Sequence, residues 1–388
     1  MALADLMVCF DGLLLIPKKG LRGFGALVLF YSPQILVWWW MLDTLGESFP
    51  EKSAILHTLS WIGLMILLGH RVLTYGTPWR GHHLEIVYVL PMHIFQNALL
   101  LQVIFWPIAV IFGFGANGQA TIAAMPLLIG TLGLVGLLLP WRWVTHRAEL
   151  RGLSDALKVV HLSDLHIGPY FTQKQLERLA LDIEKRSPDL VVITGDFLTQ
   201  TTLRRYQPVL EFVSRLTHKG LKVVSCLGNH DLASAGPLTK DLEIAGSAVL
   251  RNRGQTLQAG GNSLWISGVD YFSGKKSEAQ YRDAFKAGQP SENLPELLLC
   301  HDPRGFRFLP EDRDCLMLSG HLHGGQIGLE ALGINWNLLT PFGFFNPGWH
   351  RNGQAQMFLH AGTGTYGFPA RIGTRTEAVV IELSPQTK

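Results

Sequence analysis

Apolar positions follow two patterns that meet near residue 150. Before it they run continuously. After it they come in short β-branched clusters separated by amphipathic segments. Four continuous stretches cover roughly 23–42, 54–75, 86–114 and 119–141. Each is near or above the ~20 residues a helix needs to cross a bilayer. The pattern therefore predicts an N-terminal α-helical transmembrane bundle of about four spans. Pro91 and Pro107 in the third stretch predict a tilt or kink. The opening MALADLMVCFDGLLLIPKKG has no basic leader and is expected to lie in the interface. Trp38–Trp40, Trp79, Trp141 and Trp143 sit near stretch ends, where indoles favour the headgroup layer.

From residue 157 the shape changes. LKVVHLSDLHIG, DLVVITGDF and LKVVSCLGNHD are each a buried-strand run closed by polar residues and glycine. Helices are predicted near 172–186 and 203–218. Strand and helix alternating at this spacing predict an α/β domain with parallel strands. The expected division is a helical membrane domain over 1–150 and a second domain over 151–388.

Composition sharpens that division. Of 388 residues, 47% are apolar and 16% charged, against about 25% charged in soluble domains. Residues 1–150 hold 8 Lys+Arg and 7 Asp+Glu, leaving 25 and 23 for the rest. A single soluble domain, a disordered chain and a fibrous chain are excluded. A net charge of +3 without a basic track argues against a nucleic-acid partner. Cys9, Cys226, Cys300 and Cys315 form no CxxC pair, which argues against a disulfide framework and fits a reducing compartment. Basic residues gather before the first stretch (Lys18, Lys19, Arg22), between the second and third (Arg71, Arg80) and after the fourth (Arg142, Arg147, Arg151). The positive-inside rule then predicts a multi-pass protein of the inner (cytoplasmic) membrane, with both termini and the second domain facing the cytoplasm. His57, His70, His82, His83, His93, Gln96 and Asn97 are expected to make interhelical hydrogen bonds, the alternative being a proton path or headgroup site.

Every Asp, His and Asn cluster in the second domain follows a strand-like run. Asp164 and His166 close the first, Asp196 the second behind Gly195, and Asn229 and His230 the third behind Gly228. His301 follows PELLLC, and His321 and His323 follow DCLMLSG. Loops at the carboxyl ends of such strands build sites. Carboxylate, amide and imidazole donors suit Mn, Fe or Zn. Asp164, His166, Asp196, Asn229, His301, His321 and His323 are too many for one tetrahedral ion, and they suit two divalent metal ions sharing a bridging carboxylate.

SDLHIG, GDF, GNHD, CHDP and SGHLHGGQ, in this order, resemble the five motifs of the calcineurin-like metallophosphoesterases, and the resemblance covers about 158–383. SGHLHGGQ and the closing GTGTYGFPARIGTRTEAVVIEL are also similar to a membrane-associated bacterial branch. That branch includes phosphodiesterases and UDP-2,3-diacylglucosamine pyrophosphatases. The resemblance implies a β-sandwich flanked by helices. It implies a first metal on Asp164, His166 and His323, a second on Asn229, His301 and His321, and Asp196 as the bridge. His230 would face the scissile phosphate without binding metal, and Asp231 would orient its ring. Two departures stand out: Thr199 ends GDFLT where the family often has an acidic residue or Asn, and Tyr271 replaces the second acidic residue in GVDY, so no role passes to Asp270.

The implied reaction is hydrolysis of a phosphodiester or pyrophosphate bond. Two cations make hydroxide from a shared water near neutral pH and neutralise the phosphoryl oxygens, while His230 hydrogen-bonds a phosphoryl oxygen or protonates the leaving group. Manganese is the expected metal, with iron and zinc as alternatives. About 16 residues separate the last stretch from the strand at Lys158, so a lipid-linked phosphate ester at the cytoplasmic leaflet is the expected substrate, such as a nucleotide-activated glycolipid. The alternatives are a general phosphodiesterase or phosphatase on soluble substrates, and a non-enzymatic sensor or transporter. Segment 327–349, with Trp336, Phe342, Phe344, Phe345 and Trp349, is either an apolar lip meeting lipid or ordinary packing. Arg304, Arg307, Arg351, Arg371 and Arg375 are candidates for diphosphate binding or plain surface residues. No protein partner is indicated.

Overall fold

The computed structural model describes residues 21–58, 60–62, 98, 101–103, 105–168, 170–199, 206–290, 293–365 and 370–386. The chain divides into two compact units, Met1–Leu139 with Gly367–Ile372, and Pro140–Tyr366 with Gly373–Lys388.

In the first unit, helix α1 (Leu21–Ser48) and helix α2 (Ala116–Leu138) are the long elements. Met41, Leu42 and Leu45 of α1 pack with Trp106, Ala109 and Ala123. Trp39 stacks on His57 at 5.4 Å, and His57 lies 3.7 Å from Asp43. Gly133 of α2 accepts a 2.9 Å hydrogen bond from the Arg371 N–H, and a Cβ at Gly133 would come 2.6 Å from the Ala370 Cβ. Glycine thus lets the returning segment pack directly on the helix backbone.

Among the described residues, α2 is the one helix long and apolar enough to cross a membrane. The expected four-span bundle is not carried by them. The stretches 54–75 and 86–114 fall largely outside the described residues, as do the opening segment, Trp79, His70, His82, His83, His93, Gln96 and Asn97.

The second unit holds two six-stranded sheets. The first has the order β1-β12-β2-β3-β4-β5 and the second β10-β11-β9-β8-β7-β6. The strands are β1 (Arg142–Leu150), β2 (Leu157–Leu162), β3 (Leu190–Thr194), β4 (Val223–Cys226), β5 (Ala248–Val249), β6 (Arg253–Ala259), β7 (Asn262–Val269), β8 (Glu296–Cys300), β9 (Leu316–Ser319), β10 (Gly348–Asn352), β11 (Ala355–Leu359) and β12 (Glu377–Pro385). The central strands β2-β3-β4-β5 and β7-β8-β9-β11 are parallel, as the sequence predicts. Antiparallel partners β12, β6 and β10 make both sheets mixed.

Alternation explains the layers. Val159, Val192, Val224 and Ile381 face Ile266, Leu297, Leu299, Leu318 and Phe358 between the sheets. Their neighbours Val160, Val191, Ile193 and Val223 face the opposite way. A period of two is what gives a strand two apolar faces. Against that outer face lie α3 (Gln173–Arg186), α4 (Gln207–His218) and α5 (Ala235–Ile244), through Leu179, Ile183, Phe212, Leu216 and Leu242. Helix α6 (Ser277–Ala287) buries Tyr281, Ala284 and Phe285 beside the second sheet.

Strand β1 corrects the expected boundary. Residues 142–150 are not a linker but an edge strand, paired in parallel with β12 from Arg142↔Glu377 onward. Three residues, not 16, therefore separate the end of α2 from the first strand. Trp141 and Trp143 do not form a headgroup belt. Trp141 is in the helix-layer core at 5.9 Å from Phe171, and the Arg186 guanidinium stacks 3.7 Å over Trp143.

Candidate active site

Six of the predicted ligands come from the ends of β2, β3, β8 and β9. They form overlapping groups: Asp164, His166 and His323; Asp196, His301 and His321; and His166, Asp196 and His230, with ligand atoms within 4.8 Å in each. The Asp196 Oδ2 lies 3.1 Å from His301 Nε2 and 3.4 Å from His166 Nε2. The Asp164 Oδ1 lies 3.4 Å from His323 Nε2 and 4.0 Å from both His166 and His301. The two groups thus meet through Asp196 and His166.

The backbone is bent to achieve this. Asp164, His166, Asp196, His321 and His323 all have φ between 44° and 77°, a region costly for residues with a Cβ and concentrated at functional sites. Glycines remove the remaining obstacles. A Cβ on Gly228 would run into the Asp196 carboxylate, and one on Gly320 into Ser163 and Asp164.

The imidazoles are aimed by carbonyls. His301 Nδ1 is 2.6 Å from the Thr194 carbonyl and His166 Nδ1 is 3.0 Å from the Leu198 carbonyl. A carbonyl only accepts, so each Nδ1 donates to it, and each Nε2 is the ring atom turned towards the carboxylates. Asn229 adds a buried Oδ1 that accepts no hydrogen bond. Carboxylate, imidazole and amide-oxygen ligand atoms gathered in this way suit bound divalent cations.

Electrostatics agree. Burial alone would lower His301, but the Asp196 and Asp164 carboxylates overcome it and push it up to about 10. Burial would raise Asp196 and Asp164, yet the surrounding imidazoles hold both below the usual carboxylate range. The pocket stabilises positive charge among its carboxylates.

His230 is placed beside the cluster, its ring 4.9 Å from that of His166 and its N–H donating to Asp196 Oδ1 at 2.9 Å. Asp231 has other partners than the expected imidazole. Its carboxylate accepts from the backbone N–H groups of Gly228, Phe197 and Leu198 at 3.0–3.3 Å, so it clamps the β3 and β4 loops together. Burial and the neighbouring Asp196 push it up to about 6.

Sequence reasoning missed the support around His321. Asp302 is fully buried, accepts from Tyr281 Oη at 3.1 Å and from Arg304 Nε at 2.9 Å, and Arg304 also donates to Tyr271 Oη at 3.2 Å. The Tyr271 ring lies 5.4 Å from His321. The sole sequence signal was the Asp that follows His301 in CHDP. Asp270 points elsewhere, paired with Arg251 at 2.9 Å. Thr199 donates to the Ile167 carbonyl. Arg371 is buried, not a surface residue.

Two mixed sheets that deliver buried carboxylates and imidazoles to one cluster at their strand ends define a metal-dependent hydrolase. The calcineurin-like phosphoesterase family model matches residues 157–325. The chain is 32% identical to the metallophosphoesterase YkuE of Bacillus subtilis (strain 168) over 235 residues, 59% of this chain and 79% of that one. It is 30% identical over 271 residues to a transmembrane protein with metallophosphoesterase domain of Danio rerio, covering 66% of this chain and 60% of that one. It is 26% identical over 248 residues to the phosphodiesterase YaeI of Escherichia coli (strain K12), covering 62% and 87%. The chain belongs to the calcineurin-like phosphoesterase family and is a phosphoric ester hydrolase.

Proposed function

We propose that the protein is a membrane-anchored dinuclear-metal phosphoesterase that cleaves a phosphodiester or pyrophosphate bond in a lipid-linked substrate. The observation that carries this reading is the convergence of Asp164, His166, Asp196, His301, His321 and His323 on one buried cluster. Asp164, His166 and His323 would hold one divalent ion and Asn229, His301 and His321 the other, with the Asp196 carboxylate available to both. Such metals, manganese first and iron or zinc next, would supply a nucleophile near neutral pH and neutralise phosphoryl charge. His230 hydrogen-bonds a phosphoryl oxygen or protonates the leaving group. Asp231 holds the loops that position both.

The membrane part of the proposal is supported by α2, whose Leu128, Leu132, Val135 and Leu138 are at least half exposed, and by the similarity to the transmembrane metallophosphoesterase-domain protein of Danio rerio. The finer features proposed with it are further spans, an inner-membrane location with the catalytic unit on the cytoplasmic side, and a substrate resembling those of the UDP-2,3-diacylglucosamine pyrophosphatases. Mass spectrometry of bacterial lipid extract incubated with purified full-length protein and Mn²⁺ tests it. Loss of one phospholipid-type species with gain of its hydrolysis product is expected. Turnover of soluble aryl phosphodiesters with an unchanged lipid profile would replace it with the soluble-substrate reading.

A further inference from the structure

Six large apolar side chains left exposed in the second unit lie between residues 329 and 342: Leu329, Leu332, Ile334, Trp336, Leu338 and Phe342, at 37–72% exposure. Elsewhere among that unit's described residues, the similarly exposed ones are the scattered Leu181, Leu232 and Ile244. A soluble protein rarely concentrates such groups without a partner.

The loop is built to hold them outward. Leu329 N–H bonds to the Trp336 carbonyl and Leu338 N–H to the Ile327 carbonyl, both at 2.9 Å. Asn337 Nδ2 and Thr340 Oγ1 both donate to Asn346 Oδ1, at 2.9 and 2.7 Å. These polar groups are paired within the loop, and Leu339 alone of its large apolar side chains is buried while the six stay exposed. From Gln326 to Trp349, Glu330 is the sole Asp, Glu, Lys or Arg, and it is ion-paired to Arg142.

Its anchors identify the occupant. Arg142 stands four residues after Leu138, the last residue of α2, and four residues of chain reach at most about 14 Å. On the other side, Ala331 N–H donates to the Gly373 carbonyl at 2.9 Å and Thr374 Oγ1 to the Gln326 carbonyl at 2.8 Å. Gly373 directly follows Ile372, the end of the segment that packs on α2. A loop tied at both sides to chain so near a membrane helix has the bilayer surface within reach.

We propose that the 329–342 loop docks into the interface of the bilayer that α2 crosses. Leu332, Ile334 and Phe342 enter the acyl region, and Trp336 sits at headgroup level. The partner is a lipid surface, and the inference rests on α2 being the membrane span proposed above. Because the loop begins six residues after His323, docking also holds the metal cluster close to lipid.

The test uses full-length protein in phosphatidylcholine–phosphatidylglycerol nanodiscs. Leu332→Cys, Phe342→Cys and, as control, Ile244→Cys are made in a Cys9→Ser background and nitroxide-labelled. An oxygen-to-nickel-chelate accessibility ratio several-fold higher at 332 and 342 than at 244 is expected. Equal ratios at all three positions overturn the proposal, and so does dipolar broadening at 332 or 342, which would place a second copy on the loop. Should the labelled variants not fold, quenching by brominated lipid in the unlabelled protein decides. Trp336→Phe should remove part of that quenching, and an unchanged quenched fraction overturns the proposal. Neither readout needs turnover, so failure here is separable from failure of the hydrolase reading.

Discussion

The backbone N–H of His230 donates to Asp196 Oδ1 at 2.9 Å, while the other oxygen of Asp196 faces the Nε2 atoms of His301 and His166. One carboxylate therefore registers the loop after β4 on the cluster built by β2, β3 and β8. Asp196→Asn keeps the acceptor for His230 but replaces the oxygen between the imidazoles with an uncharged group. Metal affinity and turnover should both fall by at least about 100-fold, with the melting midpoint of the chelated protein little changed. Metal analysis beside turnover checks this. Retained metal with normal activity would remove Asp196 from the bridging position.

His230 separates from the ligands in the opposite way. His230→Ala should lower turnover by about 10²–10⁴-fold while both metals stay bound, because the N–H that holds Asp196 belongs to the backbone. Parallel loss of metal and activity would make His230 a ligand instead.

Asp231 acts on loops. Its carboxylate is fully buried and accepts three backbone N–H groups from two strand ends. Asp231→Ala strands those donors, and one buried unsatisfied group already costs about 1–3 kcal/mol. The variant should melt well below the wild type even after chelation of metal. An unchanged melting midpoint would show that water replaces the carboxylate without cost.

The parts of the site that were legible from sequence are those where chemistry follows a strand directly. SDLHIG, GDF, GNHD and SGHLHGGQ each couple a short apolar run to a glycine and a ligand-type residue, and a parallel sheet delivers such ends to one side. Asp231 and Asp302 were less legible because their partners lie on other loops: backbone amides of Phe197 and Leu198 for one, Tyr281 and Arg304 for the other. Strand β1 was hidden for another reason. RWVTHRAEL carries the charges of an exposed edge strand, the same charges that a basic loop after a membrane span would carry. Its partner β12 lies more than 200 residues away in sequence, so its pairing left no local mark.

His161 gives a prediction about pH. Its Nε2 is 2.9 Å from Thr194 Oγ1, its ring lies 4.9 Å from that of His360, and it is fully buried. Burial, with His360 adding to it, lowers it well below 6.5. The folded protein therefore keeps this imidazole neutral where the unfolded chain would protonate it. Its contribution is fully present above pH 6.5 and is lost as the pH falls below that value, with a slope of roughly 1.4 kcal/mol per pH unit until the folded-state value is reached. His161→Gln retains a group able to meet Thr194 but cannot titrate. Thermal melts of the detergent-solubilised protein between pH 7 and pH 5 should show a steeper loss of stability for the wild type than for the variant. Groups remote from this site are the same in both proteins, so the difference in slope reports His161 together with its neighbour His360. Equal slopes would mean that His161 is protonated in the folded state, with Thr194 and the His161 Nδ1 environment accommodating the charge.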